Sequence, residues 1–184
     1  MTNDTHATHA TPATHATHAT PATPATTRVV GAKPDDVPLI LQMIRDLAEY
    51  ERMSSDVVAT EAGLREALFG ARPDAEVIIA YAGERPAGFA LFFHNFSTFV
   101  GRRGLYLEDL FVRPEFRGLG IGKRLLTELA RIAVERGCGR FEWTVLDWNE
   151  PAIGFYKRLG ARPMDAWKIM RVDGDALEQL AACT

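Results

Sequence analysis

Past Arg28 the apolar residues change rhythm repeatedly, from strand-like runs to stretches with helical spacing. RVVGAK reads as a short strand stopped by Pro34. With Asp35 or Asp36 as cap, Leu39, Ile40, Met43, Ile44 and Leu47 predict a helix running to Met53. Thr60 caps a second helix that ends at Gly70. AEVIIAYAGERPAGFALFFHNF holds two β-rich runs around a Gly-Glu-Arg-Pro turn, the pattern of a hairpin. GLYLEDLFV is a further strand. A long helix from about Leu119 to Arg136 buries Ile121, Leu125, Leu129 and Ile132, and Gly137 ends it. GRFEWTVL reads as a strand, NEPAIGFYKRLG as a capped helix with a C-terminal glycine, AWKIMRV as a last strand, and a short helix follows. The order β-α-α-β-β-β-α-β-α-β predicts a mixed α/β sheet flanked by helices.

The first 27 residues differ in kind. THATHATPATHATHATPATPATT is built from Thr-His-Ala and Thr-Pro-Ala triplets with nothing to bury, so residues 1–27 are expected to be a disordered tail ahead of one domain over 28–184. The tail has neither the basic nor the apolar segment of a secretory signal. Its histidines His6, His9, His15 and His18 have spacings that can chelate a metal, but a solvated repeat is the simpler reading, and no metal is expected. Net charge is −3, which argues against general affinity for nucleic acid or anionic membranes. Cys138 and Cys183 are the only cysteines, which points to a reducing, cytoplasmic setting rather than a disulfide framework.

The chemistry begins where GLYLEDLFV runs into RPEFRGLGIGKRLL. A glycine-rich loop at the mouth of a helix is an anion site, because the first N–H groups of the helix have no partners within it. Two familiar phosphate loops fail on counting. A dinucleotide fingerprint from Gly118 needs glycine where Lys123 stands, and a P-loop needs glycine at Arg117 and a hydroxyl at Arg124. The pattern that fits is Arg117-x-x-Gly120-x-Gly122.

That pattern resembles the [QR]-x-x-G-x-[GA] loop of the GNAT superfamily of acetyl-CoA-dependent N-acetyltransferases. The resemblance spans residues 29–180 and sharpens at LAEYERM, LYLEDLFV and WNEPAIGFYKRLGA, where it is similar to the spermidine/spermine and thialysine acetyltransferase branch. It implies a GNAT fold, acetyl-CoA as cosubstrate, direct acetyl transfer to a small primary amine, and a homodimer. Residues Arg117, Gly118, Leu119, Gly120, Ile121, Gly122, Lys123 and Arg124 would then hold the pyrophosphate, with glycines that let the backbone approach it. Backbone N–H groups at Leu110, Phe111 and Val112 would bind the thioester carbonyl and pantetheine.

An alkylammonium with a pKa near ~10.4 costs about 4.6 kcal/mol to deprotonate at pH 7, so a proton acceptor is needed. The resemblance assigns that role to Glu108, acting through water. It makes Tyr156 the acid for the departing thiolate and puts Asn149 against pantetheine; the two are about two helical turns apart and share a face. Tyr50, Glu51, Asp109, Asp165 and Trp167 match substrate-side positions. By strict alternation Asp109 faces away from Glu108, although a bulge typical of the family would change that. His94 is expected to be a strand-edge residue. Arg102 and Arg103 are expected to repel the far end of a polyamine and attract a carboxylate, which favours thialysine-like amines. A protein or peptide amine is the alternative substrate, and an acyl-CoA-binding regulatory domain without turnover is the alternative of another class.

Overall fold

The computed structural model describes residues 26–183, which fall into two compact units, one ending at Glu142 and the other beginning at Trp143. Apart from Thr26 and Thr27, the expected tail and its histidines lie outside the described residues. Thr27 already pairs with Ala82 in the first strand.

The first unit carries the sheet, in the order β1-β2-β3-β4-β5. Its strands are β1 (Thr27–Gly31), β2 (Glu76–Ala82), β3 (Arg85–Ser97), β4 (Arg102–Val112) and β5 (Phe141–Trp143). The first four pair antiparallel. Next to them, Gly139 N–H donates to the Arg103 carbonyl at 2.8 Å and Leu105 N–H to the Arg140 carbonyl at 3.0 Å. Both partners ascend together, the mark of a parallel pair, so the sheet is mixed as expected.

Helices cover both faces. Helix α1 (Val37–Glu51) and helix α2 (Glu61–Phe69) bury Ile40, Met43 and Leu68 against Val77, Ile79, Phe89 and Phe111. Thr60 caps α2 as predicted, its hydroxyl accepting from Gly63 N–H at 3.1 Å. Asp36 precedes α1 but turns its carboxylate back to accept from Lys33 N–H at 2.7 Å, so it fixes the approach to the helix rather than capping it. On the other face lies α3 (Ile121–Glu135), burying Ile121, Leu125, Leu126, Leu129 and Ala133. Ile132 is only half-buried, because the buried stripe swings to Ala133 in the last turns.

The second unit holds α4 (Glu150–Arg158) and α5 (Gly174–Ala181). Here two expected strands change. GRFEWTVL keeps only the three residues of β5. AWKIMRV forms no strand among the described residues, and Trp167, Ile169 and Met170 are 74%, 69% and 88% exposed. Strand propensity reflects a pleated, half-buried setting, and this exposed segment has no such setting.

Candidate active site

Strand β4 sets the site. Leu91 pairs with Asp109 but Phe92 pairs with Leu107, so Glu108 is the extra residue of a β-bulge. A bulge breaks strict alternation, and its consequence here is electrostatic. Asp109 is half-buried and its carboxyl is pushed up to about 6, first by burial and then by the charges of Glu108 and Glu51. Glu51, the last residue of α1, is itself raised by burial. Three carboxyls thus converge where β4 meets the end of α1, a site that favours either a proton or an ammonium group. Alternation would have turned Asp109 away from Glu108. The bulge brings the two acids into one cluster, and Asp109 is the one whose environment is most perturbed.

Further along β4, Arg113 N–H donates to the Ala87 carbonyl at 2.9 Å. That bond makes Gly88 and Val112 a non-hydrogen-bonded pair and therefore Phe89 and Phe111 a hydrogen-bonded one. The N–H of Phe111 is consequently spent on β3, while those of Leu110 and Val112 point away from it. Of the three amides expected to meet a thioester, two are so oriented. Phe111 contributes its buried ring instead.

The chain then makes a single turn at Pro114–Phe116, anchored by the buried Phe116 ring. Arg117 folds back: its Nε donates to the Val112 carbonyl at 3.0 Å and its guanidinium lies 4.7 Å from the centre of the Tyr50 ring. Arg117 therefore ties the loop to the end of α1 and brings Tyr50 beside it. Gly118 and Gly120 adopt φ of +80° and +78°, which glycine tolerates without strain, and a Cβ on either would meet nothing within 4 Å. Gly120 is also the N-cap of α3, with no side chain capping it. The amides of Ile121, Gly122 and Lys123 are left without helical partners, and Lys123 is exposed beside them. Arg124 differs from expectation: its N–H bonds the Gly120 carbonyl at 3.0 Å and its guanidinium the Thr27 carbonyl at 2.9 Å, so it braces the loop against β1. Leu119 is exposed and Ile121 buried. The uncapped turn and the open space over two glycines fit a pyrophosphate.

In the second unit, Asn149 is the N-cap of α4, buried, with its side-chain oxygen accepting from Ala152 N–H at 3.3 Å. Its backbone is not helical, so its side chain turns into the helix end rather than projecting along the face that carries Tyr156. Tyr156 is half-buried, its ring 5.0 Å from that of Trp143 and 5.4 Å from that of Phe155. Trp167 lies in the exposed stretch that was expected to be a strand, and the exposed Asp165 just precedes it.

The Acetyltransferase (GNAT) family matches residues 41–161, well over half of the chain. The chain belongs to the GNAT acetyltransferase family. Like other GNAT acetyltransferases it is an acetyl-CoA-dependent N-acetyltransferase, and its relatives agree. It is 40% identical over 161 residues to a thialysine N-ε-acetyltransferase of Sus scrofa, covering 82% of this chain and 94% of the relative. It is 34% identical over 199 residues to an L-ornithine N5-acetyltransferase of Arabidopsis thaliana, covering 84% and 87%. Among solved structures, an integron cassette protein from the mobile metagenome of V. cholerae superposes with a TM-score of 0.72 at 28% identity, covering 85% of this chain and 98% of that one.

Sequence reasoning missed two features. The coupling of Asp109 to Glu51 depends on the family-type bulge and the end of α1 meeting in space, and one sequence does not report that meeting. Arg102 and Arg103 also stand apart from the acids. Leu105 and Leu107 pair with His94 and Phe92, and by alternation Arg103 joins them on the face opposite Asp109. Six residues of extended chain, about 20 Å, separate Arg103 from Asp109. The arginines are therefore too far away to meet the carboxylate of a short amino acid whose amine sits at the acids.

Proposed function

We propose that this enzyme acetylates the side-chain amine of a short cationic amino acid of the thialysine or ornithine type, with diamines and polyamines as poorer substrates. The observation that carries the reading is the cluster of Glu51, Glu108 and Asp109, which favours an ammonium group at the end of α1. Coenzyme A would be held by the amides of Ile121, Gly122 and Lys123 at the open turn over Gly118 and Gly120, and it supplies an acetyl thioester to the site. The chain's own residues do the rest. The acids take the ammonium out of water, and Glu108, through water, with Asp109 accepts its proton as the amine nitrogen bonds to the acetyl carbon. The outward N–H groups of Leu110 and Val112 stabilise the oxyanion. Tyr156 gives its hydroxyl proton to the departing thiolate, and Asn149 holds the start of α4, the roles the family resemblance assigns them. Tyr50, its ring held by Arg117, would be a substrate wall, and the family resemblance assigns Asp165 and Trp167 to the substrate side.

The enzyme acts as a cytoplasmic homodimer in this reading. Free thiols at Cys138 and Cys183 fit a reducing compartment, and the exposed Trp167, Ile169 and Met170 fit burial against a second copy. No helix among the described residues is long and apolar enough to cross a membrane. The test is kcat/KM by thiol release with thialysine, ornithine, lysine, putrescine and spermidine. The amino acids are expected to lead by at least tenfold, and a preference for spermidine would overturn the substrate assignment.

A further inference from the structure

At the far end of the β3–β4 hairpin, remote from the acids, a cleft of about 610 Å³ is lined by His94, Phe96, Gly101, Arg102, Arg103, Arg136 and Gly137. Its charge is lopsided. Glu76 is spoken for by Arg136, whose Nη2 lies 2.8 Å from Oε2 and whose Nη1 bonds Oε1. Arg102 and Arg103 form neither an ion pair nor a side-chain hydrogen bond with any described residue. By the alternation of β4, Arg103 shares the face of His94 and Arg102 turns to the other, so the guanidinium of Arg103 borders the cleft uncompensated and Arg102 stands at its rim. The imidazole of His94 has a buried Nε2 with no hydrogen-bond partner, a costly condition for a polar atom. Gly101 and Gly137 both hold φ of +66°, and a Cβ on either would meet nothing within 4 Å, so the space they border is open. The exposed Phe96 ring adds an apolar wall, 64% accessible.

We propose that this cleft is a second ligand site, separate from the acetyl-transfer site, that takes the oxyanion group of a small molecule, a phosphate or a carboxylate. Arg103 supplies the charge and forked donors that match such a group, and Arg102 at the rim adds positive charge. His94 Nε2–H, buried and without a partner, donates to that group once the ring turns toward the cleft. Arg136, fixed by Glu76, is the floor. Burial and the neighbouring Arg136 and Arg103 keep the imidazole neutral, opposed only by Glu76, so it acts as a donor rather than as a third charge.

The experiment is calorimetric titration of the full chain at constant ionic strength with saturating coenzyme A present, so that the glycine loop is filled. Inorganic phosphate and citrate are the two probes. Saturable binding of either supports the site, and the tighter of the two identifies the group it prefers. The Arg102→Ser/Arg103→Ser double variant, with an unchanged melting curve, is expected to weaken that binding at least tenfold, and His94→Asn by a smaller factor. Absence of saturable binding of both anions to the unmodified protein, or equal affinity in the double variant, overturns the proposal.

Discussion

Replacing Asp109 with asparagine should make the protein more stable and less active, and pH should separate the two effects. The carboxyl is raised from 3.8 to about 6 by burial and by the charges of Glu108 and Glu51. A folded-state pKa above the unfolded one means stability that is fully present below 3.8 and is lost as pH rises through 6. That difference corresponds to about 3 kcal/mol between those limits. Asparagine keeps the size and hydrogen-bonding capacity of the side chain and removes the charge. At pH 8 the variant should therefore gain up to about 3 kcal/mol, roughly 6–12 °C in Tm for a chain of this length. At pH 4 the gain should vanish. Differential scanning calorimetry across that range reads the difference directly. Thiol release at pH 8 should fall by at least about tenfold, because the ammonium loses its best-placed counter-charge. A Tm difference that is constant with pH, or a variant less stable at pH 8, would refute the cluster as described.

Three further substitutions test other parts of the site. Lys123→Glu puts a carboxylate at the uncapped start of α3, where the helix dipole welcomes it by about 0.3–1 kcal/mol, so Tm should hold or rise while coenzyme A affinity falls at least tenfold in a calorimetric titration. Unchanged affinity would remove the loop from cofactor binding. Gly88→Ala would bring a Cβ to 2.5 Å from the Phe111 carbonyl, so denaturant melts should show a loss of about 1–3 kcal/mol; a neutral result would mean that β3 and β4 can part there at no cost. Tyr156→Phe should lower kcat by ~10²–10⁴-fold with little change in the KM for the amine, and an unaltered kcat would leave the thiolate to solvent.

Much of the fold is local and so was legible. Thr60 announces α2, the Gly83–Glu84 turn announces the hairpin, and the Arg117-x-x-Gly120-x-Gly122 spacing puts the left-handed Gly120 at the mouth of α3. What was not legible depends on partners far along the chain. AWKIMRV has the composition of a strand, but strand formation needs an edge to pair with, and composition does not report one. The bulge at Glu108 is one residue of register between two strands, raised by the family resemblance but located only when both strands are aligned. It decides whether Asp109 joins Glu108 or opposes it. Arg102 and Arg103 were read by proximity to the site in sequence, yet the pleat turns Arg103 to the opposite face and the strand carries both too far away. His94, which reads as a strand-edge residue, gains meaning from Arg136 at the end of α3, distant in sequence.

The most direct test of the central claim is a product balance. The purified protein is incubated with acetyl-CoA and ornithine or thialysine, free thiol is measured, and the acetylated amine is located by tandem mass spectrometry. The account predicts one side-chain N-acetyl group for each thiol released, a dependence on the amine, and a matching loss of both products in the Asp109→Asn and Tyr156→Phe variants. Thiol release that is independent of any amine, or acetyl groups found only on the protein itself, would contradict it.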